Sequence, residues 1–224
     1  MNMMLRQYRL AYLIGRSSVP NAMRLRSLSY LIARKWPYSP GSAPRGNSLA
    51  KMVYLIRHAT PDWSRKDLIY HLPPGPPLTN QGLAEAHALG EYLKQLGVGR
   101  LYTSPLARSV QTAEIAAEIT GAHIQVDERL IEWQPGELAI SVRERLWLVF
   151  ELAFRDSQNG LAVGLVSHGG PVAELLGCLG LEDESQKHFR VFDSGNLLPP
   201  AGVWQVAQMA EVNSWQLNMV FTPK

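Results

Sequence analysis

Polar side chains that can do chemistry follow two apolar segments of the sequence. The run 53–56 ends in Arg57 and His58, and the run 161–167 ends in His168. Both runs are short and apolar, as is typical of strands buried in a sheet. Histidine nitrogens can act as nucleophiles, and arginine side chains offer several hydrogen-bond donors. The ends of these two strands are therefore candidates for a functional site.

Two more candidates, Arg108 and Glu132, follow other predicted strands. Arg108 lies in the first turn of a helix after the segment YTSP, and Glu132 follows the strand 123–127. In open α/β sheets ligands bind beyond the carboxyl ends of the strands, where these groups would meet. Arginine side chains and helix N-termini bind phosphate oxygens. The combination predicts a phosphoryl site, with a histidine as nucleophile and Glu132 as acid for the leaving oxygen.

Each of these residues has an ordinary interpretation when it is taken alone. A single histidine at a strand end is usually structural or solvated, and Arg108 and Glu132 alone would be surface residues. A zinc site on His58 and His168 is a weaker alternative, because no cysteine or H-x-x-x-H pair supports it and the arginines would repel a metal ion. The phosphoryl interpretation depends on the combination of positions. The other histidines lack such neighbours and are interpreted as surface or loop residues: His71, His87, His123 and His188.

Strands and helices alternate through most of the chain after Met52. Apolar residues spaced near 3.6, with terminal proline and glycine, predict helices at 80–97, 105–121, 141–157 and 170–180. Short apolar segments predict strands at 53–56, 100–104, 123–127 and 161–167, and a closing antiparallel hairpin at 202–210 and 214–221. The alternation favours a layered α/β fold with a mainly parallel sheet.

The charged residues divide the chain into two segments. Residues 1–51 contain nine basic residues and no acidic residue, whereas residues 52–224 contain 13 basic and 19 acidic residues. The isoelectric point of about 9.1 for the whole chain therefore describes neither segment. Because the domain at 52–224 is acidic, we do not expect it to bind nucleic acid.

Residues 1–51 are expected to be a basic extension that ends in the proline-, glycine- and serine-rich linker YSPGSAPRGNS. The alternatives are a disordered tail, sequence upstream of a start at Met52, a transit peptide, or a surface helix with Leu5, Tyr8 and Tyr12 on one face. A secretory signal is disfavoured because arginine would interrupt its apolar core. Targeting to an organelle or to a membrane surface through this extension therefore stays open.

Cysteine content and hydropathy bear on the cellular compartment of the protein and on its contact with membranes. Its single cysteine, Cys178, excludes an internal disulfide and fits a reducing compartment, so we expect a cytoplasmic protein. No run of 18 apolar residues predicts a transmembrane helix. We expect no membrane contact for residues 52–224.

Five segments, in order, resemble the motifs of the histidine phosphatase superfamily, which has the phosphoglycerate mutase-like fold. They are LIRHA at 55–59, PLTNQG at 77–82, SPLARSVQTA at 104–113, LIEWQPGE at 130–137 and VSHGG at 166–170. The resemblance spans residues 52 to about 180. It implies a three-layer α/β/α sandwich with a mainly parallel central sheet.

The resemblance implies a role for each residue of the cluster. His58 would be the nucleophile, attacking as a neutral imidazole whose pKa the surrounding cations lower. Arg57, Arg108 and His168 would hold the equatorial phosphoryl oxygens. Glu132 would protonate the leaving alkoxide and then activate water against the phosphohistidine. No metal or other cofactor is implied, because the arginines supply the positive charge.

The sequence departs from the family pattern in two places. Thr60 and Pro61 follow the nucleophile where many members have a polar residue and then serine or threonine, and Ser64 stands where an asparagine often touches phosphate. Thr60 or Ser64 is expected to substitute as a phosphate ligand.

The predicted function is metal-independent hydrolysis of a phosphomonoester. Only 35 residues separate Glu132 from His168, where larger members, including the mutases, carry a helical cap. We therefore expect an open site, which favours hydrolysis over a mutase reaction that must keep its phosphoryl group from water. A phosphoglycerate-type phosphomutase and a non-catalytic phosphate- or phosphoprotein-binding module are the alternatives. The expected partner is a phosphorylated small molecule or a phosphoprotein.

Overall fold

The computed structural model describes residues 52–157, 160–181, 191–209 and 214–223. The extension at 1–51, with the alternatives raised for it, lies outside these residues, as does His188. No helix in the described ranges combines the length and hydropathy needed to cross a bilayer.

One sheet runs through the described part of the domain, with its strands in the order β3-β2-β4-β1-β5-β6. The four strands β1 to β4 are mutually parallel where they pair, whereas β5 pairs antiparallel with β1 and β6 pairs antiparallel with β5. The bounds are Met52–Arg57 (β1), Val98–Thr103 (β2), His123–Val126 (β3), Ala162–Ser167 (β4), Val203–Met209 (β5) and Ser214–Phe221 (β6). The predicted hairpin is confirmed as β5 and β6.

Helices cover both faces of this sheet. In the described residues they are Asn80–Gln95 (α1), Ala107–Thr120 (α2), Ala139–Ser157 (α3) and Gly169–Cys178 (α4). Alternate residues of β1 show the two layers: Val53 and Leu55 pack with α3 and α4, whereas Tyr54 and Ile56 pack with α1 and α2. The predicted three-layer α/β/α sandwich with a mainly parallel central sheet is confirmed.

The predicted element ends differ from the observed ones by at most two residues. The helix expected from Pro105 begins at Ala107, because Leu106 still has extended backbone and forms the N-cap. Two short 3₁₀ turns, Glu128–Leu130 and Asp193–Gly195, were not expected from the sequence.

The segment PLTNQG fixes α1 against the residues that follow β1. The hydroxyl of Thr79 caps α1 by accepting a hydrogen bond from the backbone N–H of Gly82 at 3.0 Å. A Cβ atom at Gly82 would collide with the carbonyl oxygen of Thr60. Glycine is therefore required where the helix meets the chain just beyond His58.

Candidate active site

The ends of β1 and β4 lie side by side. The register pairs Arg57 with Ser167, so His58 and His168 are the first residues beyond the two strands. The backbone N–H of His58 donates to the carbonyl of Ser167 at 2.9 Å, and the imidazole centroids are 5.1 Å apart. Both rings are fully buried. The two histidines of the predicted site are therefore neighbours.

Arg108 joins the two histidines. It lies in the first turn of α2, and its side chain is fully buried. Its Nε donates to Nε2 of His58 at 3.2 Å, and its Nη2 donates to Nδ1 of His168 at 3.2 Å. One turn later, the hydroxyl of Thr112 accepts from the backbone N–H of Ala59 and donates to the carbonyl of Arg108. This threonine ties α2 to the end of β1.

The hydrogen bonds of His58 define its tautomer. Nδ1 lies 2.7 Å from the carbonyl oxygen of Ala59, which can only accept, so Nδ1 carries the proton. Nε2 then presents its lone pair to Arg108. Burial, followed by the charges of Arg108 and Arg57, holds the pKa of His58 well below its usual value. His58 is therefore a neutral imidazole, and Nε2 is its unprotonated ring nitrogen.

His168 is also neutral, as its hydrogen bonds and its lowered pKa indicate. Arginine can only donate, so Nδ1 of His168 accepts from Arg108 and Nε2 carries the proton. Nε2 lies 2.8 Å from the hydroxyl oxygen of Ser104 and donates to it. Burial is the main cause that lowers the pKa of His168 well below its usual value, and His58 and Arg108 add to it. Ser104, also fully buried, was not singled out from the sequence although it opens the segment SPLARSVQTA.

Glu132 completes the cluster on one side. Its Oε2 is 3.6 Å from Nδ1 of His168 and 3.8 Å from Nη2 of Arg108. Its Oε1 accepts the backbone N–H of Trp133 at 2.9 Å. Burial raises the pKa of Glu132, and the bond from Trp133 and the charge of Arg108 oppose that rise only in part. The carboxyl group therefore holds a proton to higher pH than an ordinary glutamate.

Arg145, from α3, holds the loop that carries Glu132. Its Nη1 donates to the carbonyl oxygens of Arg129 and Ile131 at 2.6 and 2.7 Å. Its Nε donates to Glu137 at 2.8 Å. The glutamate of the G-E pair in LIEWQPGE thus orients the arginine that fixes the loop. Nothing in the sequence singled out Arg145.

Arg57 is buried beside the cluster but is paired outside it. Its Nη1 and Nη2 donate to the two carboxylate oxygens of Asp193 at 2.6 and 2.7 Å, and Nη1 also donates to the carbonyl of Leu198 at 2.9 Å. Hydrogen bonds from Arg57 hold the pKa of Asp193 below its usual value, so the carboxylate is ionised. Within the described residues, Nε of Arg57 is buried without a hydrogen-bond partner.

An aromatic pair covers Arg108 from the solvent side. The guanidinium carbon of Arg108 lies 3.8 Å from the ring centroid of Tyr70, and Nη1 donates to the carbonyl of Tyr70 at 2.8 Å. The ring of Trp63 stacks on Tyr70 with centroids 4.6 Å apart, and its side chain is half-exposed. The loop between β1 and α1 therefore forms part of the entrance to the site.

Residues 53–140 match the sequence model described as "Histidine phosphatase superfamily (branch 1)". The match assigns residues 53–140 to the histidine phosphatase superfamily. This range contains four of the five motifs, and the resemblance to the superfamily is thereby confirmed.

Curated relatives of the domain carry a mutase name. The probable phosphoglycerate mutase GpmB of Klebsiella pneumoniae subsp. pneumoniae is 33% identical over 129 residues, which cover 55% of this chain and 57% of the relative. GpmB of Salmonella arizonae is 33% identical over 123 residues, with the same coverage of both chains. The chain thus spans little more than half the length of the curated relatives it matches.

Solved histidine phosphatase-fold structures superpose on more of the chain. A mycobacterial glucosyl-3-phosphoglycerate phosphatase in complex with inorganic phosphate gives a TM-score of 0.61 at 22% identity, over 78% of this chain and 98% of its own. Bacillus stearothermophilus YhfR gives a TM-score of 0.59 at 21% identity, over 75% and 95%. At these identities the likeness shows the fold.

The two hydroxyls predicted as phosphate ligands form hydrogen bonds with other residues of the domain. Thr60 donates its hydroxyl to Glu85 at 2.8 Å, and its backbone N–H donates to the same carboxylate. Ser64 is exposed and donates to Asp62 at 2.6 Å. Phosphate binding by Thr60 or Ser64 stays a prediction.

The remaining described histidines lie away from the cluster. His87 is exposed on α1, and His123 is exposed at the start of β3. His71 lies in the entrance loop, where its carbonyl accepts a hydrogen bond from Gln134 at 2.9 Å. These positions agree with the interpretation as surface or loop residues.

The donor atoms of His58, Glu132 and His168 could in principle hold a cation, because they lie within 4.8 Å of one another. Two imidazoles and a carboxylate are ligands that zinc accepts. However, Arg108 donates to both imidazoles from inside the same cluster. Its fixed positive charge opposes a cation and favours an anion at this position.

Proposed function

We propose that residues 52–224 form a metal-independent phosphomonoester hydrolase that works through a phosphohistidine on His58. The observation that supports this proposal most directly is the neutral His58, whose Nε2 lies 3.2 Å from Nε of the buried Arg108. An unprotonated ring nitrogen with a fixed cation beside it suits attack on a phosphoryl group, once that cation turns its N–H to a phosphoryl oxygen. Membership of the histidine phosphatase superfamily supports the same chemistry.

In the first half-reaction, Nε2 of His58 attacks phosphorus. A nitrogen–phosphorus bond forms while the bond from phosphorus to the leaving oxygen breaks. Arg108 would turn its Nε–H from His58 to a phosphoryl oxygen, which frees the lone pair and stabilises the developing charge. Glu132 would give its proton to the leaving oxygen, for which its raised pKa prepares it.

In the second half-reaction, water replaces the departed alcohol. The carboxylate of Glu132, now deprotonated, takes a proton from the water as the oxygen attacks phosphorus. The nitrogen–phosphorus bond breaks, and inorganic phosphate leaves with neutral His58 restored. One group therefore acts first as acid and then as base.

His168 and Arg57 are proposed to hold the remaining phosphoryl oxygens. Neutral His168 gives its only N–H to Ser104. The negative charge of a bound phosphoryl group would favour protonation of Nδ1 and turn it into a second donor. Among the described residues Nε is the nitrogen of Arg57 that has no hydrogen-bond partner, and it is proposed to serve the same purpose.

A phosphoglycerate mutase activity is the second candidate, because the curated relatives are named so. The short stretch of sequence between Glu132 and His168 supports hydrolysis instead. It holds the helix α3 (139–157), which leaves little chain to enclose the site. We propose that water reaches the phosphohistidine more readily than a second substrate does.

The proposed substrate is a phosphorylated small molecule or a phosphoprotein. The solved neighbour named as a glucosyl-3-phosphoglycerate phosphatase acts on a compound of the first class. The proposed location is the cytoplasm, because the single cysteine of the sequence fits a reducing compartment.

The test compares hydrolysis of p-nitrophenyl phosphate by the wild type and by His58→Ala, with His87→Ala as a matched exposed control. We expect His58→Ala to lose about 10³-fold or more in kcat/KM, and the control and EDTA treatment to change nothing. Acid-labile, alkali-stable labelling by ³²P-substrate should depend on His58. Turnover that survives His58→Ala would refute the mechanism, and transfer between phosphoglycerates without phosphate release would favour the mutase. Phosphate binding without turnover on a broad substrate panel would favour a binding module.

A further inference from the structure

Asp193 and Leu198 hold the guanidinium of Arg57 from outside the cluster. The carboxylate of Asp193 accepts from both terminal nitrogens at 2.6 and 2.7 Å, and the carbonyl of Leu198 accepts a second bond from Nη1 at 2.9 Å. Arg57 is 4% exposed, whereas Asp193 is 48% exposed. Asp193 and Leu198 lie in a segment that follows the residues matched by the family model. No part of the mechanism above uses Asp193.

Nε of Arg57 is the donor that this arrangement leaves free. It is buried without a hydrogen-bond partner among the described residues. It also lies 3.5 Å from the position that a Cβ atom would take at Gly169, the residue directly after His168. The free N–H is therefore close to the end of β4, where the phosphoryl site is proposed. A buried N–H without a partner is rare and suggests an absent hydrogen-bond acceptor.

The segment around Asp193 is anchored to both strand ends. The side chain of Asn196 packs directly against Gly169. A Cβ atom at position 169 would collide with the Oδ1 of Asn196. The backbone N–H of Ala201 donates to the carbonyl of His58 at 3.2 Å. The carbonyl of Gly202 accepts from the backbone N–H of Arg57 at 3.1 Å. Asp193 thus sits on a segment whose other contacts fix it against the nucleophile.

We infer that Asp193 is a positioning residue, which holds Nη1 and Nη2 of Arg57 so that Nε–H is the donor offered to a phosphoryl oxygen. The inference rests on the proposed phosphoryl site. A paired guanidinium is a directional donor with its charge partly balanced, so Arg108 supplies most of the positive charge. Bidentate pairing fixes the plane of the guanidinium, which a single contact would not do.

Two other roles for Asp193 make different predictions. If the pair only stabilised the fold, removing the carboxylate would change stability but not anion binding. If the carboxylate occupied the anion site itself, removing it would tighten anion binding. A positioning role requires that anion binding weakens, and that it weakens only while Arg57 is present.

The experiment measures binding of orthovanadate and of inorganic phosphate to the full chain, together with kcat and KM for p-nitrophenyl phosphate. The variants are Asp193→Ala, Asp193→Asn and Asp193→Glu. Asp67→Ala is the matched control, because Asp67 accepts a similar pair of bonds from exposed Arg65 at 2.9 and 2.7 Å. Thermal unfolding of each variant is recorded alongside.

We expect Asp193→Ala to weaken vanadate binding and lower kcat by about 10–100-fold, with a smaller change in KM and little change in Tm. Asp193→Asn should lose less, since one oxygen still accepts, and Asp193→Glu should restore part of the loss. Asp67→Ala should match the wild type. In an Arg57→Ala background, Asp193→Ala should have no further effect.

Unchanged or tighter vanadate binding in Asp193→Ala would overturn the inference, as would an equal loss in the Arg57→Ala background. Failure of the proposed hydrolysis is a separate outcome. If the wild type binds vanadate without turnover, the phosphatase proposal fails and the binding series still decides the role of Asp193. If the wild type binds neither anion, both proposals are wrong.

Discussion

Nε of Arg108 donates to Nε2 of His58 over 3.2 Å, so the proposed phosphoryl clamp occupies the lone pair of the proposed nucleophile. The same guanidinium also donates to His168 and to the carbonyl of Tyr70. Five N–H donors on one rigid group make this possible. When a phosphoryl group arrives, its oxygens can replace His58 as acceptor without moving the rest of the side chain. In the proposed mechanism Arg108 would therefore protect the neutral nucleophile before binding and release it on binding.

Arg108→Lys should remove this exchange while keeping a positive charge. A lysine ammonium is a point charge on a flexible stem and does not reproduce the planar set of bonds to His58, His168 and Tyr70. We expect kcat/KM for p-nitrophenyl phosphate to fall by about 10²–10³-fold. Steady-state kinetics of the variant measure the loss.

The control for Arg108→Lys is Arg65→Lys, which alters an exposed arginine paired with Asp67. It should retain wild-type kinetics. If Arg108→Lys kept more than about a third of wild-type kcat/KM, the geometry of the guanidinium would not matter. Charge alone would then account for the clamp.

Acid should destabilise the domain through its two buried histidines. The pKa values of His58 and His168 are lowered in the folded state, so below the ordinary histidine value of about 6.5 the unfolded chain binds protons that the folded chain does not. Stability therefore falls as pH falls, by up to about 1.4 kcal/mol per pH unit for each histidine. The raised pKa of Glu132 acts in the opposite sense, since its contribution is present at low pH and is lost as pH rises through that pKa.

Urea unfolding between about pH 5 and 8 measures this dependence, with His58→Gln to remove one titrating group. The slope of unfolding free energy against pH should decrease in His58→Gln. It should stay unchanged in His87→Gln, which alters an exposed histidine on α1. Equal slopes in the wild type and His58→Gln would mean that His58 is not held neutral by the fold.

The strand ends could be predicted from the sequence because their signal is local. Apolar runs that stop at His58 and His168 reveal both the strands and the polar residues beyond them. Parallel pairing of β1 with β4 then brings the two imidazoles together. The alternation of strands and helices was enough to predict the three layers, since each face of β1 packs on a different pair of helices.

Residues that orient the site could not be predicted, because their contacts join distant parts of the chain. Arg57 and Asp193 are 136 positions apart, and nothing beside Asp193 in the sequence marks it as a partner. Arg145 acts mainly on backbone carbonyls, which carry no sequence signal. Thr60 was expected to bind phosphate, but α1 brings Glu85 within 2.8 Å of its hydroxyl. A motif predicts the residue type at a position and not the tertiary contact that uses it.

Glu132→Gln should separate the two half-reactions. Glutamine keeps the oxygen that accepts from Trp133 but cannot exchange a proton. The leaving group of p-nitrophenyl phosphate needs no acid, so phosphorylation of His58 should continue. Hydrolysis of the phosphohistidine should slow, because no base remains for water. Rapid mixing should show a burst of p-nitrophenolate close to one equivalent per active site, followed by slow turnover.

Alkyl phosphates should show no such burst with Glu132→Gln, since their leaving oxygen requires the proton. Glu114→Gln, an exposed change on α2, should behave as the wild type on both substrates. Equal loss on aryl and alkyl phosphates, without a burst, would contradict the acid role of Glu132. A nearby water or another side chain would then have to deliver the proton.

Arg145→Ala should disturb Glu132 through the backbone of its loop, including the carbonyl of Glu132, which accepts from Nη2 of Arg145 at 3.3 Å. Two backbone carbonyls of the loop, at Arg129 and Ile131, would lose their donor, and Glu137 would lose its partner. We expect unfolding free energy to fall by about 1–3 kcal/mol and kcat on alkyl phosphates to fall more than kcat on p-nitrophenyl phosphate, since only the former needs a well-placed acid.

The matched control for Arg145→Ala lies two positions earlier on the same helix. Arg143 pairs with Glu174 at 2.6 Å and is about one-third exposed, so Arg143→Ala should cost about 1 kcal/mol or less and leave both substrates unaffected. Differential unfolding and paired kinetics on the two substrates separate stability from positioning. If Arg145→Ala lowered kcat equally on both substrates, its effect would be a general loss of folded enzyme. A larger loss on the alkyl substrate would show that Arg145 acts through the placement of Glu132.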